Sequence, residues 1–275
     1  MGQMFSIPRR RANPEMLRAD YVSKLSTEEV EVTGARLGAG SRHPRAWVGP
    51  PQVYDLVGAG QFQLLIDLGL RDYHRFLDVG CGSLRLGRLA IPYLLPERYF
   101  GVEPDREILE AGCKMHFGAG LEDSQVIAQK RPKFVHGVEF EFSFTDGPVD
   151  FIFAQSIASH TGPDLTRSLL SSIAGVMHDR SIAMVTYINC ADVAKSNRKE
   201  GWFYPECVSY TDDDFGAFCA AAGLKAYKSE WPLSNVLSDG LVTSQRPTIL
   251  TKGSWEPSLA QKLSAAMFTG VERIG

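Results

Sequence analysis

Asp78-Val79-Gly80-Cys81-Gly82-Ser83 sets one carboxylate and two glycines within five positions, and a second acid, Glu103, follows 21 residues after Gly82. Glycines at this spacing let a backbone turn tightly and approach a ligand that a Cβ would hold off. A helix opening after such a turn presents unpaired amides at its N-terminus. A carboxylate at the end of the next strand can accept hydrogen bonds from both hydroxyls of a ribose. Together these features imply a ligand that contains adenosine. Further along, Ala154-Gln155-Ser156-Ile157-Ala158-Ser159-His160 brings polar groups to the end of another apolar segment. His160 is the first candidate for a general base, because an imidazole with a pKa near ~6.5 can take a hydroxyl proton at neutral pH. A histidine that caps the next helix or packs on the sheet is the alternative. Gln155 and Ser156 either orient ligands or satisfy loop amides.

Arg85 separates two classes of adenosine ligand. The dinucleotide fingerprint asks for a third glycine three residues after the second, where close helix–strand packing and pyrophosphate approach need it. That position here is Arg85. Asp78, two residues before Gly80, suits a cationic amino-acid group better than a pyrophosphate.

These residues must be positioned by strands that alternate with helices. Buried strands are expected at Arg75 to Val79, Arg98 to Val102, Phe134 to Val138, Val149 to Ala154 and Ser181 to Ile188. A mostly parallel sheet with helices on both faces follows from that alternation. Before the first strand, apolar residues from Val53 to Leu68 recur at helical spacing up to Gly69. Leu84 to Leu94 should form the helix after the glycine turn, and Gly162-Pro163-Asp164 should start a crossover helix. Thr211 should cap a helix from Asp212 to Ala222, and segments near Ala226 to Trp231 and Val242 to Leu250 suit a terminal hairpin. The expected organisation is an arm or cap over 1–50, partly disordered and helical near Met16 to Leu25, a ligand-binding domain over 51–252, and a helix or tail over 253–275.

At the glycine turn and its paired acid the chain resembles the Rossmann-like S-adenosylmethionine-dependent methyltransferases, whose first motif reads D/E-x-G-x-G. The likeness spans roughly Trp47 to Leu250. It is nearest to small-molecule enzymes that continue the motif as Gly82-Ser83-Leu84-Arg85. The resemblance implies a seven-stranded, mostly parallel sheet with the last strand antiparallel, and S-adenosylmethionine as cofactor with S-adenosylhomocysteine as product. It implies that Asp78, Gly80, Gly82 and Ser83 hold the methionine part, that Glu103 and Pro104 hold the ribose, and that Gln155 borders the cofactor. For the adenine, Glu139 and Glu141 are both in range. Tyr54, Ser156, Tyr187, Trp202 and Tyr204, with Tyr210, are the candidates for the acceptor side, and core packing explains the rings equally well; Tyr54 and Gln61 could also close over the cofactor with Trp47 as a lid anchor, structural contacts being the alternative for each. A small-molecule acceptor methylated on oxygen is the expected substrate. An amine or macromolecular acceptor, a non-catalytic S-adenosylmethionine-binding protein and a nicotinamide-binding protein are the alternatives.

Composition narrows the partners. With 29 basic against 32 acidic residues, a formal charge of −3 gives no overall attraction to nucleic acid. The turn after the fourth strand also lacks the N/D-P-P-Y/F pattern of base-modifying enzymes. No apolar run approaches the roughly 18 residues of a membrane span, so a cytoplasmic protein without stable membrane insertion is expected. A homo-oligomer is compatible with the sequence. Five scattered cysteines without a C-x-x-C pair, and no clustered carboxylates or H-x-x-x-H, give no metal signature. Met1-Gly2-Gln3-Met4-Phe5-Ser6 fits the short myristoylation pattern and precedes Arg9-Arg10-Arg11, but a solvated tail accounts for it as well.

Overall fold

The computed structural model describes residues 25–229, 245–255 and the backbone of 272–274. Gly2, Arg9 to Arg11, most of the helical stretch expected near Met16 to Leu25, the outer end of each hairpin strand and most of 253–275 lie outside the described residues.

The central sheet is built from β1 (Phe76–Val79), β2 (Tyr99–Val102), β3 (Lys133–Val135), β4 (Val149–Ala154), β5 (Met177–Asn189), β6 (Ser209–Tyr210), β7 (Lys225–Lys228), β8 (Gln245–Thr251) and β9 (Glu272–Ile274). Its order is β3-β2-β1-β4-β5-β8-β7-β9, with β6 paired to β5 off this path. The first five strands run parallel, while β8 lies antiparallel between β5 and β7. The seven expected strands are all present, including the antiparallel β8. Two short additions, β6 and the edge strand β9, raise the number beyond seven. Strand β3 is shorter than expected, stopping at Val135, because the chain from His136 to Glu139 lies exposed instead of pairing.

Among the described residues eight helices flank the strands: α1 (Thr27–Thr33), α2 (Pro44–Trp47), α3 (Tyr54–Leu68), α4 (Gly87–Tyr93), α5 (Arg106–Phe117), α6 (Gln125–Lys130), α7 (Pro163–Val176) and α8 (Asp212–Ala221). Their ends follow local chemistry. Gly69 stops α3 in the left-handed region at φ 108°, Pro163 occupies the first turn of α7, and Thr211 Oγ1 accepts from the Asp214 amide to cap α8. Helix α4 starts at Gly87, later than Leu84, since the chain first spends a turn at Leu84 with φ 61°.

Alternation along each strand sorts the core into two layers. Phe76, Tyr99, Phe151, Phe153 and Met184 pack with Leu64, Leu65 and Leu68 of α3, Ile91 of α4 and Leu109 of α5. Leu77, Phe100, Ile152 and Val185 face the other way, against Leu169, Leu170 and Ile173 of α7 and Phe215 of α8. Strand β1 lies between β2 and β4, so the chain leaves it in one direction toward β2 and β3 and later returns on its other side. The carboxyl ends of β1, β2 and β4 therefore meet at the topological switch point, where open α/β sheets place their ligands.

Candidate active site at the carboxyl edge of the sheet

The glycine turn leaves β1 with Gly80 and Cys81 amides both donating to the carbonyl of Val102 (2.8 and 3.0 Å). Gly80 and Gly82 both adopt left-handed φ, 73° and 54°. A Cβ on Gly80 would displace the end of the Ile157 side chain and one on Gly82 the Val48 methyl, and the left-handed backbone favours glycine at both. Val48 follows α2, which brings the segment before α3 directly over the turn.

Glu103 stands at the end of β2, where its Oε2 accepts from the Gly82 amide (2.9 Å) and its Oε1 from the Asp105 amide (3.0 Å). The two bonds orient the carboxylate and leave about half of its roughly four acceptor positions free for a ligand. Burial raises its pKa despite those amides. His136 Nδ1 donates to the Glu103 carbonyl (2.8 Å), which ties the start of the exposed 136–139 segment to the same corner. Pro104 is exposed beside it, as are Glu139 and Glu141. Nothing distinguishes those two acids as partners for an adenine.

Asp78 is buried at 4% exposure and accepts from Tyr99 Oη (2.7 Å). Desolvation pushes its pKa up to about 7, the Tyr99 bond and the nearby Arg85 charge working in the opposite direction. Tyr99 is a site-supporting residue that sequence reasoning missed. It looks like any strand aromatic until the register puts β2 beside β1.

Tyr54, expected at the acceptor wall, is fully buried behind the glycine turn. Its Oη donates to the Ser83 carbonyl (3.0 Å), lies 3.2 Å from Ser83 Oγ and 2.7 Å from His116 Nε2, and its ring stacks on His116. That arrangement clamps Ser83 from behind. Tyr187 changes in the same way: it is fully buried, donates to Asp212 Oδ1 (2.5 Å) and stacks on Phe215 at 4.0 Å, which commits it to the start of α8. Tyr210 is likewise buried and donates to the Thr161 carbonyl.

On the β4 side, Gln155 Oε1 accepts from Gln61 Nε2 (2.8 Å), joining α3 to the strand end. Ser156 holds a left-handed φ of 63°, unusual for a side chain. Its amide donates to Thr186 Oγ1, Thr186 donates to Gln245 Oε1, and Gln245 Nε2 donates back to Ser156 Oγ (2.8, 2.6 and 2.8 Å). This closed ring holds the strained turn; Gln245, distant in sequence on β8, gave no local signal. His160 Nδ1 lies 2.6 Å from the Glu206 carbonyl. A carbonyl only accepts, so Nδ1 carries the proton and the Nε2 lone pair is left for other work. Burial lowers the pKa of His160, so the ring is neutral at pH 7. The Tyr204 ring meets His160 edge-on at 5.2 Å, and Tyr204 Oη donates to the Trp47 carbonyl (3.5 Å). Trp202 packs on Phe140, and both Trp202 and Tyr204 stay largely exposed, at 45% and 59%.

The structure thus gathers Asp78 at the end of β1 and Gly80, Gly82, Ser83, Glu103, Gln155, Ser156 and His160 on the loops at the carboxyl ends of β1, β2 and β4, with Tyr204 against His160 and Trp47 bonded to Tyr204. No group of three or more metal-ligating side chains occurs among the described residues, and no helix among them is long and apolar enough to cross a membrane.

No protein-family model matches the sequence. Among solved structures, magnesium protoporphyrin IX methyltransferase from Synechocystis, with S-adenosylhomocysteine bound, aligns over 87% of this chain and 100% of its own, at 12% identity and a TM-score of 0.53. The CcbJ methyltransferase from Streptomyces caelestis covers 74% of this chain and 97% of its own, at 13% identity and a TM-score of 0.52. An S-adenosylmethionine-dependent methyltransferase from Clostridium acetobutylicum covers 73% and 92%, at 12% identity and a TM-score of 0.51. With its glycine turn, paired acid and antiparallel β8 between β5 and β7, the chain shares the Rossmann-like fold of S-adenosylmethionine-dependent methyltransferases.

Proposed function

We propose that this protein transfers a methyl group from S-adenosylmethionine to a small-molecule acceptor, on oxygen. The observation that carries the reading is the join between Gly82 and Glu103, which sets a bare-backbone turn and an oriented, half-satisfied carboxylate side by side at the switch point of the sheet. These residues fit the cofactor. Gly80, Gly82, Ser83 and Asp78 would take its amino-acid part, Glu103 and Pro104 its ribose, and Gln155 the border with β4. When bound, the cofactor supplies an electrophilic methyl group already activated by the positive sulfonium.

The protein's own contribution is chiefly alignment, which by itself can be worth effective molarities of about 10⁵ to 10⁸ M. Glu103, held by two backbone amides, accepts from sugar hydroxyls without having to reorganise. His160 holds a free Nε2 lone pair in a ring kept neutral by burial, which suits it to take the proton of an acceptor hydroxyl. The exposed rings of Trp202 and Tyr204 beside it offer an acceptor an apolar wall.

Calorimetry of the full chain with S-adenosylhomocysteine tests the cofactor, and methyl-labelled S-adenosylmethionine incubated with cell extract tests the acceptor. Saturable binding and a labelled small product are expected. Glu103→Ala should weaken cofactor binding at least ~10-fold, since two charge-assisted bonds are lost. No heat of binding to the wild-type chain would end the reading, whereas a labelled macromolecule would overturn the acceptor class alone.

A further inference from the structure

Buried polar atoms without a partner include Arg45 Nε, Arg85 Nε and Arg88 Nε, three donors of one arginine cluster, and Gln61 Oε1, an acceptor on α3. Buried polar groups are almost always satisfied, so an orphaned donor and an orphaned acceptor in one corner need an explanation. Gln61 is nearly closed off, at 6% exposure, and its amide nitrogen is already spent on Gln155. It lies one turn along α3 from Gly58, which packs so tightly on Arg85 that an added Cβ would come within 2.7 Å of the Arg85 carbonyl. Both residues therefore belong to one contact between α3 and the motif turn.

Arg85 is also short of negative charge. Its guanidinium donates through Nη1 to the Val48 carbonyl (2.6 Å), and no ion pair reaches it among the described residues. Its two neighbouring arginines, Arg45 and Arg88, share the single carboxylate of Asp55 (2.6 and 3.0 Å) and both lie over the Tyr54 ring. Asp78 acts on Arg85 without forming an ion pair, and burial favours its neutral form, so the three guanidinium groups outnumber the ionised carboxylates around them. Val48 ties Arg85 to the glycine turn, because its carbonyl takes the guanidinium while its side chain covers the Cβ side of Gly82. A ligand carboxylate that reached Arg85 would offer it a stronger, charge-assisted partner than the neutral Val48 carbonyl.

We propose that Arg85 and Gln61 divide the zwitterionic end of the cofactor between them, Arg85 holding its carboxylate and Gln61 its ammonium. The assignment rests on the reading of the site as one for S-adenosylmethionine. It makes these two residues the determinants that select an amino-acid tail over any other thioether of adenosine. An orphaned donor then meets an anion, and an orphaned acceptor meets a cation.

Calorimetry with three thioethers, all lacking the sulfonium charge, tests this on the full-length chain: the zwitterion S-adenosylhomocysteine, its decarboxylated, cationic form S-adenosyl-3-thiopropylamine, and its deaminated, anionic form S-adenosyl-4-thiobutanoate. The wild-type protein should bind each truncated ligand ~10- to 100-fold more weakly than the parent. Arg85→Met should lose a similar factor toward the parent and the deaminated ligand while binding the decarboxylated one about as wild type does. Gln61→Met should show the reverse pattern. A crossed result of that kind supports the proposal, because a merely structural role would lower all three affinities together. Equal affinity of the wild type for all three ligands overturns the proposal while the cofactor reading stands; failure to bind any of them overturns both. Should Arg85→Met lose its cooperative melt, Arg85→Lys takes its place, and retention of the preference for carboxylate is the supporting result, its loss with the fold intact the opposing one.

Discussion

His160 illustrates how one hydrogen bond decides what a side chain can do. Donation from Nδ1 to the Glu206 carbonyl fixes the tautomer, and burial keeps the ring uncharged, so its basic nitrogen is available at neutral pH. If it is the base, turnover should rise with pH through a pKa below 6.5 and be flat above it, because only the neutral ring can accept a proton. His160→Gln should abolish that limb and slow turnover about 10²- to 10⁴-fold with cofactor affinity unchanged, as read from initial rates and calorimetry. Asp78 carries the opposite lesson, since burial raises its pKa from 3.8 to about 7. The folded protein then binds a proton that the unfolded chain has released. Stability contributed by this group is fully present below about pH 4 and is lost as pH rises through 7, at most about 4 kcal/mol in all. Melting temperatures of the cofactor-free protein should fall between about pH 4 and 7 and level off above that, and Asp78→Asn, which still accepts from Tyr99, should flatten that decline.

Helix α5 shows why element packing matters to the site. Gly112 brings this helix against the backbone of Ser83 so closely that a Cβ there has no room at all, and the atoms it would meet are main chain rather than a yielding side chain. Gly112→Ala should therefore push α5 and the motif turn apart, at a cost of about 1–3 kcal/mol in urea unfolding, and weaken cofactor binding as well. The elements themselves were largely readable from sequence. Helices α3, α7 and α8 begin or end where glycine, proline and threonine direct, because those signals act within a few residues. Gly112 carries no signal of its own in the sequence, since a glycine within a helix reveals its purpose only when the facing backbone is in place. The late start of α4 and the early stop of β3 are shifts of a few residues at element ends, where the chain turns at Leu84 and lies exposed over 136–139.

At the scale of the whole molecule, the sheet divides the core into two layers and decides which cysteines meet solvent. Cys81, Cys113 and Cys219 are buried, Cys190 is intermediate, Cys207 is exposed, and all five are free thiols. Titration of the native protein with a colorimetric disulfide reagent should modify Cys207 first and Cys190 more slowly, with all five reacting only in denaturant. Rapid reaction of three or more thiols in the native state would contradict the packing described here. The amino-acid sequence alone determined the parallel α/β class, the glycine turn with its paired acid, and most helix boundaries, because these depend on periodicity and on short-range backbone chemistry. Tertiary structure decided what each polar side chain touches. It withdrew Tyr54 and Tyr187 into the interior, brought Tyr99 to Asp78 and Gln245 to Ser156, and left Arg85 and Gln61 each with an unmet hydrogen bond. Such pairings join residues tens of positions apart, and only the register of neighbouring strands and the packing of helices across them bring those groups within reach.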